Sequence, residues 1–306
     1  MAGQTTITLE DMVRLKAKAH GYSFLPRQPV TSLLAGRHAS RLRGRGLSFE
    51  ELRRYQQGDD IRSIDWKATA RLRETQVRVY SEERERPVLL LVDQRSTMFF
   101  GSRRCMKSVA AAELAALAAW RTLRTGDRVG GIVFNDAAMV EVRPHRSQTR
   151  VLHLLNEIAR QNQLLASKEP PTGNTSLNDA LNSALRFAKH DYLVVLISDL
   201  NGADQETQRL TTLLQAHNDV LIAAVYDPLG ASLQSQPGMV AASGKEQFEL
   251  PLGTFFEEAF QHSFTEILDR WMTIFRGLRI PIMPISTAFP IADQLRDLFG
   301  RHSATH

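Results

Sequence analysis

Four short apolar runs constrain this chain more than any other feature. Residues 88–92 read VLLLV, and 129–134, 192–197 and 220–226 behave alike. Each is continuous and of strand length, the mark of a strand buried on both faces. Helix-period stretches separate them, at 107–124, 150–161, 177–189 and 205–217. The first of these is alanine-rich and ends at Gly126, a C-cap residue. Buried strands alternating with helices build βαβ units and a mostly parallel sheet. The expected fold class is α/β, Rossmann-like, with helices on both sheet faces. Beyond residue 226, a polar stretch at 230–251 reads as a hairpin and 255–275 as a long helix. A further apolar run at 278–285 and a closing helix at 291–299 complete the pattern.

Upstream the pattern differs, and the chain divides into three expected parts. Residues 1–35 read as an amphipathic helix (9–19) followed by a turn-rich linker. Residues 36–86 read as a small, basic, β-rich subdomain: an Arg/Gly-rich stretch at 36–50, a turn at Gly58-Asp59 and a strand-like alternation in TQVRVYSEERE. Residues 87–306 form the α/β domain. The charge follows this division. Residues 1–86 hold 17 Lys and Arg against 11 Asp and Glu, whereas the rest hold 21 against 22. Most of the basic residues are arginine, whose planar fork suits paired recognition of carboxylate or phosphate. The Arg-rich segment 37–54 is therefore a candidate for nucleic-acid binding, and salt sensitivity is its discriminating property.

Other classes are excluded more simply. At 43% hydrophobic and 23% charged, the chain is neither disordered throughout nor fibrous. No run approaches the roughly 18 apolar residues of a membrane helix, and the N-terminal stretch lacks the apolar core of a secretion signal. One cysteine, Cys105, forms no intrachain disulfide and no zinc site by itself. The expected location is the cytoplasm. Phosphate-loop, dinucleotide, zinc-protease and serine-elbow motifs are absent from the sequence.

In open parallel sheets, ligands bind beyond the carboxyl ends of the strands. The first run ends in Asp93-Gln94-Arg95-Ser96-Thr97-Met98 and the third in Ser198-Asp199-Leu200-Asn201-Gly202. The loop Pro170-Pro171-Thr172-Gly173-Asn174-Thr175-Ser176 opens a helix between them. Two carboxylates and several hydroxyls thus converge on one sheet edge, a set of hard oxygen donors of the kind magnesium or manganese takes.

On these loops the chain resembles a von Willebrand factor A domain with its metal-ion-dependent adhesion site. That site uses Asp-x-Ser-x-Ser, then a Thr, then an Asp. The matching positions here are Asp93, Thr97, Thr175 and Asp199, and they are the candidate metal residues. The upstream stretch Tyr55-x-x-Gly58-Asp59-Asp60-x-Arg62-x-Ile64-Asp65-Trp66-x-x-x-Ala70-Arg71 resembles the bacterial domain-of-unknown-function family fifty-eight. So does His217-Asn218-Asp219-Val220 leading to Tyr226-Asp227-Pro228. The resemblance runs from about residue 40 to the C-terminus. It implies a von Willebrand A-like core and a non-enzymatic adaptor or co-chaperone role beside a MoxR-type AAA+ ATPase.

One departure bears on the chemistry: Arg95 stands where the adhesion motif has its first serine. A cation beside a divalent ion is repelled, by ~4 kcal/mol even for two unit charges 4 Å apart at an effective dielectric of 20. Either Arg95 turns inward onto Asp93 and Asp199 and replaces the ion, or it points away and leaves a weakened site. The expectation is a degenerate site, with magnesium or manganese weakly bound or absent. Arg95 would then receive an acidic group of a partner directly. Asp59, Asp60, Arg62, Asp65 and Trp66 are the other candidate partner-binding residues. Their plainer reading is a turn with local ion pairs, with Trp66 as a packing anchor. A metal-dependent hydrolase using Asp93 and Asp199 lacks an evident base or nucleophile.

Overall fold

The computed structural model of the protein describes residues 3–20, 47–82, 86–230, 240–243, 246–249, 271, 275, 278 and 280–300. Two compact units divide the chain. One contains residues 1–26 and 86–306, the other residues 27–85.

The larger unit is built on six strands: β3 (Val88–Asp93), β4 (Val129–Phe134), β5 (Met139–His145), β6 (Leu193–Ser198), β7 (Asp219–Tyr226) and β10 (Ile282–Ser286). Their order across the sheet is β10-β7-β6-β3-β4-β5. Every pairing is parallel except that of β5 with β4. The α/β class expected from the apolar runs is thus the observed one. β5 is the strand the sequence reading passed over. Its residues alternate in exposure rather than forming a buried run, as suits an edge strand with one face toward solvent.

Strand alternation sorts the core into two layers. Val88, Leu90 and Val92 face α3 (Lys107–Arg124), α4 (Gln148–Leu165) and α7 (Ile291–Gly300). Leu89 and Leu91 face α5 (Leu177–Phe187), α6 (Gln205–Gln215) and Phe275. Small residues let α3 lie close to the sheet: Ala110, Ala111, Ala112, Ala115, Ala116 and Ala119 are all fully buried. Of the long helix expected at 255–275, only Trp271 and Phe275 fall among the described residues. The expected hairpin is present as β8 (Val240–Ser243) paired antiparallel with β9 (Glu246–Glu249). Among the described residues, no helix is long and apolar enough to cross a membrane.

Residues 3–20 belong to the core. α1 (Leu9–Arg14) starts at a capping box between Thr8 and Asp11, and Ile7, Met12 and Ala19 are buried in the α3–α4 layer. Trp120 Nε1 donates to the Met12 carbonyl at 2.9 Å. A fully buried amide chain continues inward. Ile7 N donates to Asn162 Oδ1, Asn162 Nδ2 to Gln94 Oε1, and Gln94 Nε2 to the Ser108 carbonyl, at 2.9, 2.9 and 3.0 Å.

In the smaller unit, β1 (Leu47–Arg54) pairs antiparallel with β2 (Gln76–Glu82). A 3-10 turn at Ile61–Ser63 and α2 (Trp66–Leu72) lie between the two strands. Residues 37–46 of the Arg-rich segment lie outside the described residues.

Candidate functional site

Chain order across the larger sheet reverses between β3 and β6. The two strands are neighbours, yet each continues into strands on opposite sides. At such a switch point the flanking loops part and leave a crevice at the carboxyl ends. The crevice here is filled by the chain's own charges. Asp93, the last residue of β3, is fully buried. Arg95 folds back onto it: Nε lies 3.0 and 3.2 Å from the two carboxylate oxygens and Nη2 2.7 Å from Oδ2. The Arg95 backbone N–H and the Ser198 hydroxyl add donors at 3.0 and 2.7 Å. Arg95 Nη2 also donates to the Asn201 carbonyl at 3.0 Å, joining the β3 loop to the β6 loop. The guanidinium lies over the Phe134 ring, 5.6 Å from its centre.

Burial pushes the Asp93 carboxyl up, against the pull of Arg95 and Ser198. For Arg95, burial opposes the charge, but the Asp93 carboxylate outweighs it and raises the guanidinium. The two directions conflict over whether Asp93 stays charged. The donors around it favour the ion pair, because a fork-to-fork guanidinium contact plus a hydroxyl and an N–H satisfies both oxygens.

Asp199 is not paired with Arg95. Its Oδ2 accepts from Lys107 Nζ at 2.6 Å, with the two side chains 6% and 14% exposed, and its Oδ1 accepts from Asn201 N at 3.0 Å. Of the two outcomes foreseen for Arg95, the inward turn is observed, but onto Asp93 alone. Lys107 is the cation sequence reasoning missed. It opens α3, and no local signal links it to an aspartate 92 residues away.

The two threonines reach the same edge differently. Thr97 sits in a 3-10 turn (Ser96–Met98), and its Oγ1 is buried without a hydrogen-bond partner. Thr175 is held by its backbone: its N–H donates to the Asp136 carbonyl at 3.0 Å. A Cβ on Gly173 would lie 2.2 Å from that carbonyl oxygen, so the close approach of this loop to the β4–β5 turn requires glycine. Asp136 also accepts from Ser96 N at 2.7 Å, tying the first loop to the second.

The donors of this edge are taken up within the chain. Every oxygen of Asp93 and Asp199 already accepts a hydrogen bond, and two cations occupy the space beside them. Thr97 Oγ1 is the one motif oxygen left buried without a partner. Among the described residues there is also no group of three or more His, Cys, Asp or Glu arranged for a metal.

A second cluster, which the sequence reading left unassigned, ties the rest of the edge. Asp227 accepts from Ser102 N at 2.9 Å, from the Ser102 and Thr287 hydroxyls, and from Leu229 N at 2.9 Å. Burial opposes its charge, but these donors win and hold the carboxyl below its ordinary value. The cluster joins the loops that carry Phe100 and Phe289, which are 44% and 61% exposed. Asn218 explains part of its own motif. It accepts from Tyr192 N and donates to the Ala188 and Leu214 carbonyls, closing the turn before β7.

In the smaller unit the motif acids serve the turn. Asp59 accepts from Arg53 at 2.8 Å and from Gln56 N, beside Gly58 at φ +109°. Asp60 accepts from Arg62 N. Asp65 caps α2, accepting from the N–H groups of Lys67 and Ala68, and also pairs with Arg78 at 2.8 Å. Hydrogen bonds from Arg53 and Arg78, respectively, are the largest influences holding Asp59 and Asp65 below the usual carboxylate range. Trp66 is 67% exposed.

A family model described as "Protein of unknown function DUF58" matches residues 51–266. Uncharacterized protein Rv1480 of Mycobacterium tuberculosis (strain ATCC 25618 / H37Rv) is 29% identical over 223 residues, 73% of this chain and 68% of that protein. Conserved hypothetical protein BatB from Bacteroides thetaiotaomicron aligns over 68% of this chain and 93% of its own, at TM-score 0.40 and 14% identity. The SpRpn10 VWA domain aligns over 70% and 95%, at TM-score 0.42 and 10% identity.

Proposed function

The chain belongs to the DUF58 family, and from that premise we propose that it is a non-enzymatic protein-interaction module whose docking edge lies at the carboxyl ends of β3 and β6. The observation that carries this reading is the pair of internal ion pairs, Arg95–Asp93 and Lys107–Asp199. They neutralise the two carboxylates on which hydrolytic or metal chemistry would depend. Recognition is left to the exposed Phe100 and Phe289 of the rim and, beneath them, to Arg95 Nη1, which carries no hydrogen bond among the described residues, and to the donors of Lys107 Nζ beyond the one given to Asp199. Aromatic and arginine side chains are the residues enriched at protein interfaces. A partner carboxylate would meet Arg95 and Lys107 as a charge-assisted pair with no bridging metal.

The family resemblance supplies the partner in this proposal, a MoxR-type AAA+ ATPase in the cytoplasm. The test is affinity purification of the tagged full chain from its native lysate, with and without magnesium, for the wild type and Arg95→Ala. Enrichment of an AAA+ ATPase, lost in the variant and indifferent to magnesium, is the expected result. Magnesium-dependent capture, or calorimetric magnesium binding that disappears in Asp199→Ala, would overturn the metal-free docking edge. Co-purified nucleic acid that leaves at high salt, with no ATPase, would move the assignment to the Arg-rich segment 37–54.

A further inference from the structure

The 27–85 unit carries a second surface whose chemistry differs from the sheet edge. Most oxygens of its motif acids are spent inside the turn on Arg53, Arg78 and backbone N–H groups, Oδ2 of the exposed Asp60 excepted. Apart from Asp60, what remains outward is apolar and basic. Ile61 is 65% exposed and Trp66 67%, and Leu72 and Leu52 are also open. A tryptophan is usually well buried, so one two-thirds exposed calls for an occupant. At 100° per helical residue, Trp66, Lys67, Ala70 and Arg71 share an arc of ~140° on α2. All four are exposed, whereas Thr69 turns toward β2, where its hydroxyl accepts from Gln76 N at 3.0 Å. Arg62, Lys67, Arg71 and Arg73 are exposed, and no carboxylate among the described residues pairs with them.

We propose that this face docks an acidic peptide segment of a protein partner that carries one apolar anchor. The anchor packs on Trp66 and Ile61, and its flanking carboxylates meet Arg62, Lys67 and Arg71. Charge complementarity selects the acidic partner. The aliphatic part of the face selects protein over nucleic acid: single-stranded nucleic acid is held by stacking on aromatic rings, which Ile61 cannot provide. The inference rests on the interaction-module reading but names a different surface and a different ligand.

The test pans a displayed random 12-residue peptide library on the full chain. Enriched peptides are then titrated by tryptophan fluorescence, with a single-stranded oligothymidine in parallel. Expected are clones rich in Asp and Glu around an aliphatic or aromatic residue, with an emission change that Trp66→Phe abolishes while keeping most of the affinity. Trp66→Ala should weaken binding roughly 30-fold, the scale of a central interface residue, and the charge reversal Arg62→Glu/Arg71→Glu at least 10-fold. Circular dichroism confirms that these exposed substitutions leave the fold intact. Failure to enrich acidic peptides, or binding indifferent to Trp66→Ala, overturns the proposal. So does oligothymidine binding that Trp66→Ala removes, which would assign the face to nucleic acid. The readouts separate the two readings: peptide binding is followed at Trp66 in the purified chain, whereas the sheet edge is read by ATPase capture from lysate, so either can fail alone.

Discussion

Replacing Arg95 with methionine tests the ion pair at the heart of the sheet edge. The substitution keeps an apolar stem of similar length and removes the guanidinium. Asp93 then loses its three side-chain contacts from Arg95 and keeps two donors, the residue-95 backbone N–H and the Ser198 hydroxyl. Breaking one partner of a buried pair typically costs about 3–5 kcal/mol, because an uncompensated charge stays buried. The carboxyl limits that cost by taking a proton, since burial and the nearby Asp199 both act to raise it. The sign follows. An acid whose folded value lies above its unfolded value binds more protons when folded, so stability rises as the pH falls. The variant should lose ~3 kcal/mol at pH 7.5 and regain about 1.4 kcal/mol per pH unit once below the raised value. The double variant Asp93→Asn/Arg95→Met removes both charges and should recover most of the loss at pH 7.5. Urea unfolding followed by circular dichroism at pH 7.5 and 5.5 reads all three proteins. A single variant within 1 kcal/mol of wild type, or a double variant no more stable than the single, would refute the argument that an inward ion pair holds this edge.

Three further outcomes are expected. Asn162→Leu leaves Ile7 N–H and Gln94 Oε1 buried without partners and should cost about 2–5 kcal/mol; hydrogen exchange should show residues 3–20 losing protection. Cys105 is 1% exposed and its thiol is pushed up to about 12, chiefly by burial, so it should resist a disulfide reagent at pH 8 in the native protein and react promptly in urea. Asp227 is held below its ordinary value, so its contribution is complete above about pH 4 and fades as the pH falls through the lowered value; Asp227→Asn should destabilise the protein at neutral pH and flatten the acid limb of its urea midpoint.

Much of this architecture was legible in the chain itself. Continuous apolar runs mark β3, β4, β6 and β7 as central parallel strands, because a strand covered on both faces needs apolar residues at both parities. Parity also assigns Leu90 to one helix layer and Leu89 to the other. Strand ends then deliver Asp93 and Asp199 to a common edge, and the helix start at Ser176 brings Thr175 there. β5 was less legible, since an edge strand shows only weak alternation. The fate of the charges was a tertiary decision. Lys107 reaches Asp199, and Arg95 reaches Asp93, according to which cation lies within about 3 Å once the helices pack, and sequence separation says nothing of that distance. Ile7 and Asn162 meet across 155 residues for the same reason. Trp66 reads in a sequence as a residue that buries itself. Its exposure was decided by the turn, whose acids are bound from within and whose short helix turns Thr69, rather than Trp66, toward the hairpin.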